Sequence, residues 1–194
     1  MSRVIVVNHL TLDGVMQAPS GPDEDRREGF PHGGWAVPYQ DEVMGRVMGE
    51  HMAAAEGGAL LFGRWTYESF YAYWPHQTDN PFTPVLNARQ KYVASTTLSE
   101  PLPWENSTLL RGDAATAVAQ LKRERDGDLA VLGSGRLVQS LLRADLVDEL
   151  LLTISPLVLG TGQRLFPDGG APARFQLADT TTTTTGVIIA TYRR

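Results

Sequence analysis

Leu60-Leu61-Phe62-Gly63-Arg64-Trp65-Thr66-Tyr67-Glu68 is the stretch that decides the fold. Its first part belongs to an apolar run, Ala59 to Phe62, which favours a strand buried on both faces of a sheet. The glycine then allows a close turn, and a short helix is expected near Thr66 to Tyr71. Backbone N–H groups are unpaired at a helix N-terminus, where the helix dipole also favours an anion. The candidate phosphate ligands in this turn are Gly63, Arg64 and Thr66, although an ordinary turn with a threonine cap and a surface arginine fits the same residues.

A second stretch, Ala130-Val131-Leu132-Gly133-Ser134-Gly135-Arg136-Leu137, repeats this order of strand, glycine and helix. It lacks the third glycine of a dinucleotide-binding fingerprint. It also lacks the Gly-x-Ser-x-Gly spacing of a nucleophile elbow. A tight strand-to-helix turn explains it equally well. Ligands of open α/β sheets lie at the carboxyl ends of strands, so two such turns together favour a cofactor that spans both.

The rest of the chain alternates strands and helices. A first strand is expected at Val4 to Val7, and an aperiodic segment, Leu12 to Pro38, has the length of a functional or mobile loop. Helical spacing of apolar residues predicts a helix from Gln40 to Ala55, ended by Gly57-Gly58. Further strands are predicted at Tyr92–Ser95, Ser107–Leu110, Asp128–Leu132 and Glu149–Ser155, further helices at Ala114–Arg125, capped by Asp113, and from Gly135, and a closing antiparallel pair at Arg174–Thr181 and Val187–Tyr192. We therefore expect one α/β domain over residues 1–194, with a mostly parallel sheet, helices on both faces and an antiparallel C-terminal edge.

Composition excludes several classes of protein. The 194 residues carry a net charge of -5, which does not favour nucleic acid, and no basic run suggests a membrane surface. There is no cysteine, so disulfides, zinc–cysteine sites and thiol catalysis are excluded. The four histidines show no metal-ligand spacing, so no metal site is expected. The first residues lack an apolar run long enough for a signal peptide or a membrane span, so we expect a cytoplasmic protein.

A set of segments resembles one known family in order along nearly the whole chain. The segments are Leu12-Asp13-Gly14, Phe62 to Glu68, Val93-Ala94-Ser95-Thr96-Thr97-Leu98, Val131 to Leu137, Leu146 to Leu150, Pro156 to Gly162, and Leu165-Phe166. Together they resemble the dihydrofolate-reductase-like superfamily, and within it the reductase domain of bacterial bifunctional riboflavin biosynthesis proteins, the RibD C-terminal domain, and its stand-alone relatives. The resemblance implies a three-layer sandwich with helices on both faces of the sheet.

The resemblance also implies an NADPH-dependent reductase, often a homodimer. It puts Arg64 and Thr66 at the NADPH phosphates, and Ser95 and Thr96 at the adenosine ribose and its 2′-phosphate. The second glycine turn falls beside the pyrophosphate and the nicotinamide, and the loop containing Leu12, Asp13 and Gly14 falls where the family closes over the nicotinamide. The residues implied on the second turn are Gly133, Ser134, Gly135, Arg136 and Leu137.

The chemistry is less well marked than the cofactor site. The superfamily resemblance suggests Asp41, which follows Trp35, as a proton relay or ring anchor, and burial would raise the pKa of such a carboxylate. Asp41 and Glu42 fit equally as first-turn acids that favour the helix dipole. Trp35, Thr153 and Arg164 are candidate substrate ligands, with a solvent-facing threonine and a solvated arginine as the alternatives. The aromatic residues Trp65, Tyr67, Tyr71 and Trp74 fit a ring site or plain core.

The expected function is reduction of a pyrimidine or pterin-like heterocycle by NADPH. Its named form is 5-amino-6-(5-phosphoribosylamino)uracil reductase, and dihydrofolate reductase is the runner-up. A non-catalytic NADPH-binding protein and an interaction domain are the other classes. Without cysteine the chain cannot carry the zinc site of the deaminase half of the bifunctional proteins. The segment Pro19 to Trp35 is also more acidic than expected for a loop that meets a phosphate.

Overall fold

The computed structural model describes residues 2–54 and 57–194. It contains eight strands and five α-helices, joined by loops and three short 3-10 helices. In chain order they are β1 (Val4–Thr11), α1 (Glu42–Ala54), β2 (Ala59–Gly63), α2 (Arg64–Tyr73), α3 (Phe82–Ala88), β3 (Lys91–Ala94), β4 (Ser107–Leu110), α4 (Ala114–Glu124), β5 (Leu129–Leu132), α5 (Gly135–Arg143), β6 (Glu149–Ser155), β7 (Gln176–Thr182) and β8 (Ile188–Arg193). The 3-10 helices are Arg27–Gly29, Val37–Tyr39 and Trp74–His76.

All eight strands form one sheet in the order β4-β3-β2-β5-β1-β6-β8-β7. The pairs from β4 to β6 are parallel, and β8 pairs antiparallel with β6 and β7. β5 is inserted between β1 and β2, so the chain crosses over at the middle of the sheet. In sheets of this kind the crevice at the carboxyl ends near such a crossover is where ligands bind.

Side-chain alternation along the strands assigns each helix to a face. Val4 and Val6 of β1 pack with α4 and α5 in one core cluster. Val7, the next residue along, packs with Met44 and Val47 of α1 on the opposite face. A third cluster, around Phe62, joins β2 and β3 to α2 and α3. The molecule is therefore a three-layer sandwich, and the predicted α/β architecture with an antiparallel C-terminal edge is confirmed.

The predicted elements are found, with two differences worth noting. β1 extends to Thr11, four residues beyond the predicted strand. The sequence predicts no element between Tyr71 and Tyr92, yet α3 lies there, with Asn80 accepting the Phe82 N–H at 3.0 Å. α1 begins at Glu42, and Ala55, the last residue of the predicted helix, lies outside the described residues.

The long segment after β1 is packed against the domain. Its buried residues Val15, Ala18, Phe30, Trp35 and Ala36 form a small core of their own. Backbone hydrogen bonds from residues 12, 16 and 165 tie this segment to residues 157, 163 and 14, respectively. Among residues 2–54 and 57–194, no helix combines the length and apolar character that crossing a membrane requires.

Candidate active site

A cleft of about 1200 Å³ opens at the carboxyl ends of β1, β2, β3 and β5. Its lining includes two turns that we call the glycine turns, Gly63–Thr66 between β2 and α2, and Gly133–Leu137 between β5 and α5. The sequence predicts a ligand that spans both turns, and both line this one cleft.

The two glycine turns are hydrogen-bonded to each other. The Gly63 N–H donates to Ser134 Oγ at 3.0 Å, and the Ser134 N–H donates to Thr66 Oγ1 at 3.0 Å. Ser134 Oγ in turn donates to the Leu132 carbonyl at 3.0 Å. Gly133 has φ +56, a left-handed conformation that suits glycine, and a Cβ at this position would lie 3.3 Å from a methyl carbon of Thr66. The turns therefore behave as one rigid unit.

The helices that leave these turns have unsatisfied N-termini. Neither α2 nor α5 has a side-chain cap, whereas α4, whose first residues also line the cleft, is capped by Asp113 accepting the Thr116 N–H at 2.8 Å. Arg64 and Arg136, the cleft-lining residues at the starts of α2 and α5, are exposed and make no ion pair with any described residue. Two free helix N-termini and two unpaired guanidinium groups make this part of the cleft suited to phosphates.

The loop after β3 lines another part of the cleft. Ser95 and Thr96 line the cleft there, as do Gly112 and Asp113 at the start of α4. Ser95 Oγ accepts the N–H groups of Thr97 and Leu98, both at 3.1 Å, so it orders this loop. Thr96 is exposed, and its hydroxyl is available to a ligand.

The other end of the cleft is apolar, and we call it the methionine chamber. We define it by the apolar cleft-lining residues of the sheet, of α1, and of the segment from α2 through the following 3-10 helix to α3, together with His9. The lining residues of the chamber are Val7, His9, Met44, Met48, Met52, Phe70, Trp74, Phe82, Leu86 and Leu132.

His9 is the polar side chain of the chamber. Its Nδ1 lies 2.6 Å from Thr153 Oγ1, the residue opposite it on β6. Burial lowers the pKa of His9, so the ring is neutral at pH 7. The hydroxyl of Thr153 has no other hydrogen-bond partner among the described residues, so we assign it as the donor to Nδ1, which leaves the ring proton on Nε2. Thr153, predicted as a substrate ligand, is 1% exposed and lies behind His9, outside the cleft lining.

Asp41 lines the cleft but is engaged in structure. One carboxylate oxygen accepts the Met44 N–H at 2.8 Å, and the other accepts the backbone N–H and the hydroxyl of Thr184 at 2.7 and 2.6 Å. These bonds, with Thr184 foremost, lower the pKa of Asp41. Asp41 therefore lacks the burial that would raise its pKa, and its bond to the Met44 N–H fits the alternative of an acid at the start of the helix.

Four other predicted residues do not line the cleft. Asp13 accepts the Thr11 hydroxyl at 2.6 Å and the Gly160 N–H at 2.8 Å, and these bonds lower its pKa to about 2. Arg164 donates to the Asp13 carbonyl at 2.9 Å. Trp35 is buried and donates to the Gln17 carbonyl at 2.7 Å, and Gly14 accepts the Leu165 N–H through its carbonyl. Together they hold the segment after β1 in place, so any contact they make with a ligand stays a prediction.

Sequence reasoning misses the chamber residues other than Trp74. It considers His9 only as a metal ligand, and nothing in the neighbours of His9 along the chain marks it as special. The predicted helix from Gln40 to Ala55 contains Met44, Met48 and Met52, but their spacing of four cannot distinguish core from cavity wall. Of the aromatic candidates, Tyr67 is 1% exposed and packs in the core, whereas Trp65 and Trp74 line the cleft.

Comparison with known proteins identifies the family. The family model for the RibD C-terminal domain matches residues 2–189. The chain belongs to the RibD C-terminal domain family. An uncharacterised Bacillus subtilis protein, YyaP, is 26% identical over 195 residues, covering 98% of this chain and 94% of its own length.

Solved structures show the same fold at low identity. A Shewanella sp. PV-4 protein assigned to riboflavin biosynthesis matches with a TM-score of 0.69 at 22% identity, covering 99% of this chain and 98% of that one. A dihydrofolate reductase from Enterococcus faecalis, in complex with NADP(H) and RAB-propyl, matches with a TM-score of 0.60 at 14% identity, covering 99% and 96%. The fold is therefore dihydrofolate-reductase-like, as the resemblance implied.

Proposed function

We propose that this RibD C-terminal domain protein is an NADPH-dependent reductase of a small ring compound. One observation carries the proposal: two uncapped helix N-termini and two unpaired arginines line the same cleft as an apolar chamber. Phosphates suit the first part and a ring suits the second. The dihydrofolate reductase of the same fold binds NADP(H), which supports a nicotinamide cofactor here.

The residues present fit such a cofactor. The glycine turns line the cleft, and their hydrogen bonds to each other fix them before any ligand arrives. The free side chains of Arg64 and Thr96 fit the 2′-phosphate that distinguishes NADPH from NADH. When bound, the nicotinamide supplies a hydride. The chamber, which continues from the glycine turns, then holds the acceptor ring and limits the access of water.

The protein's part in the reaction is alignment and hydrogen bonding. His9 lines the cleft, and because its Nδ1 is bonded to Thr153, its Nε2–H can donate to an oxygen or nitrogen on the acceptor ring. The proton that completes the reduction would come from solvent, because the neutral His9 can donate a hydrogen bond from Nε2 but would become an imidazolate if it gave up that proton. Asp41 is likewise unsuited to donate the proton because its lowered pKa keeps it ionised at neutral pH.

The named activities remain distinguishable alternatives within this proposal. Family membership favours 5-amino-6-(5-phosphoribosylamino)uracil reduction, the riboflavin-pathway reaction, over dihydrofolate reduction. Dihydrofolate reduction is less favoured because Asp41, the ring anchor that the superfamily resemblance suggests, is hydrogen-bonded to Met44 and Thr184. A homodimer and a cytoplasmic location stay predictions.

Titration of the protein with NADPH and with NADH tests the proposal. We expect NADPH to bind more tightly, and Arg64→Ala to weaken NADPH binding roughly 10-fold, since a hydrogen bond to a charged group contributes about 1.5–3 kcal/mol. Arg46→Ala is the matched control, because Arg46 is exposed on α1, pairs with Glu50 and lies outside the cleft lining. Absence of NADPH binding to the folded protein would reject the reductase. Binding without NADPH oxidation by any heterocycle tested would favour the non-catalytic alternative.

A further inference from the structure

The methionine chamber has a lining that selects a particular class of ligand. We propose that it binds a flat, uncharged ring compound that offers one hydrogen-bond acceptor to His9, and that it discriminates against phosphorylated and other anionic analogues. The inference rests on the proposed function in taking the chamber as the substrate side of the cleft. It goes further by naming the substrate class, and it departs from the phosphorylated aminouracil that family membership favours.

The walls of the chamber suit a flat ring. Met44, Met48 and Met52 are spaced four residues apart, so their thioethers lie along one side of α1. The opposite wall presents the rings of Phe70, Trp74 and Phe82. Thioethers pack favourably against ring edges, and aromatic side chains pack against ring faces. An aromatic or conjugated ring between these walls makes both kinds of contact.

The charges around the chamber disfavour an anion. Arg27 lines the cleft, but its guanidinium donates to Asp25 Oδ1 at 2.8 Å, contacts Asp25 Oδ2 as well and lies 4.3 Å from the centre of the Trp65 ring. It is therefore neutralised and fixed. Arg64 and Arg136 are unpaired, but they lie on the glycine turns, where the cofactor phosphates are expected.

Outside the glycine turns, the described residues that line the cleft include four carboxylates, those of Glu24, Asp25, Asp41 and Asp113, and a single cation, Arg27. Asp41 bonds to the backbone of Met44, the first methionine of the wall. Glu24 also lines the cleft, and burial raises its pKa, which indicates that negative charge is poorly solvated there. A phosphate or carboxylate on the ligand would meet these acids without a partner, at a desolvation penalty.

His9 supplies the polar contact that orients the ring. Its Nε2 makes no hydrogen bond to any described residue, although Nδ1 is bonded to the buried Thr153. A neutral imidazole held in one tautomer donates one hydrogen bond from a fixed position. A ligand that offers an oxygen or nitrogen acceptor at its edge satisfies this donor.

A matched pair of probes tests the proposal on the wild-type protein. We expect 1,4-naphthoquinone, which is flat, neutral and carbonyl-bearing, to quench tryptophan fluorescence on binding, in the presence and absence of NADP+. We expect its 2-sulfonate to bind at least about 10-fold more weakly, because the sulfonate cannot be desolvated without a partner. The chain has no cysteine, so the quinone has no thiol to alkylate.

Variants assign the binding to the chamber. His9→Asn keeps an acceptor or donor near Thr153 but removes Nε2, and we expect naphthoquinone to bind about 5-fold more weakly. Met48→Glu should weaken binding at least about 10-fold, whereas Val85→Glu, an exposed change on α3 outside the cleft lining, should leave it unchanged. An unchanged circular dichroism spectrum of each variant verifies its fold. In wild-type protein labelled at histidine, the Nε2 signal of His9 should shift on binding, and the signals of His32, His51 and His76 should not.

Several results would overturn the proposal. They are equal or tighter binding of the sulfonate, unchanged binding by both His9→Asn and Met48→Glu, or no binding of the quinone at all. The outcome is separable from that of the proposed function. If the quinone shows the expected pattern but NADPH does not bind, the ligand class stands and the reductase fails. If NADPH binds and the sulfonate is preferred, the reductase stands and the ligand class fails.

Discussion

The glycine turns present backbone N–H groups and two unpaired arginines, whereas the methionine chamber presents flexible thioethers, aromatic rings and one imidazole. The turns are joined by hydrogen bonds between Gly63, Thr66 and Ser134, so their geometry exists before a ligand binds. The chamber has no comparable network among the described residues apart from His9 and Thr153. We infer that the turns bind one cofactor, which stays the same whichever substrate is present. The side chains of the chamber, in contrast, adapt to the ring that enters.

The largest expected effect comes from a substitution that disrupts the glycine turns. Gly133→Val forces a β-branched residue into a left-handed conformation and brings its side chain against Thr66. The turn must move, and losing two or three hydrogen bonds at about 1 kcal/mol each predicts roughly 30-fold weaker NADPH binding. Isothermal titration measures this.

Gly160→Val is the control for backbone strain alone. Gly160 has φ +74, a Cβ at this position would have nothing within 4 Å, and the residue is outside the cleft lining. We expect a comparable loss of stability with unchanged NADPH affinity. Equal loss of affinity in both variants would mean that global strain, not the turn, controls binding.

A smaller effect comes from separating the two turns. Thr66→Val keeps the shape of the side chain and removes the oxygen that accepts the buried Ser134 N–H. We expect the free energy of unfolding to fall by about 1–2 kcal/mol and NADPH binding to weaken several-fold. Urea denaturation and titration measure the two quantities. Thr66→Ser keeps the acceptor and should restore both, and a valine variant that matches the wild type would show that the turns are independent.

A change in the segment after β1 should have a smaller effect still. Asp13→Asn weakens the bonds to Thr11, Leu159 and Gly160 that hold the segment after β1. We expect about 1 kcal/mol lower stability at pH 7, less than the full pKa shift would give because the carboxylate borders solvent.

The pH dependence of that variant gives the check. The folded pKa of Asp13, about 2, lies below its unfolded value, so its contribution is present above about pH 4 and is lost as pH falls towards 2. Urea denaturation at about pH 6 and about pH 3 should show a smaller difference between wild type and variant at the lower pH. A difference that grows on acidification would contradict the assignment.

The smallest expected effect concerns His9 in the methionine chamber. Burial lowers the pKa of His9, so the unfolded chain binds more protons than the folded one just below the unfolded pKa of about 6.5. The contribution of His9 is therefore present above that pH and is lost as pH falls. We expect His9→Asn to flatten the decline in stability between about pH 7 and about pH 5, measured by thermal denaturation. An unchanged decline would show that other groups account for it.

The same contrast explains what the sequence could predict. Each glycine turn follows a buried strand and opens a helix within about eight residues, and Asp113 caps the helix that follows it directly, so local pattern suffices. Asp41 is different, because its partner Thr184 is 143 residues away. The role of His9 depends on its contact with Thr153, which lies far away in the sequence on the neighbouring strand β6. α3 escapes prediction because Pro81 and Pro84 are typical of breaks, although Pro84 lies in the first turn of the helix, where proline is tolerated.

The position of β1 in the sheet bears on the order in which the protein folds during synthesis. β1 pairs with β5 and β6, so Val4 finds its partner Leu129 only after most of the chain has been made. At the usual speed of translation this takes roughly ten seconds, during which an apolar strand has unpaired edges. The hydrogen bonds between Asp41 and Thr184 form later still, since the hairpin of β7 and β8 is near the end of the chain. The N-terminal end of the α1 wall is therefore secured last.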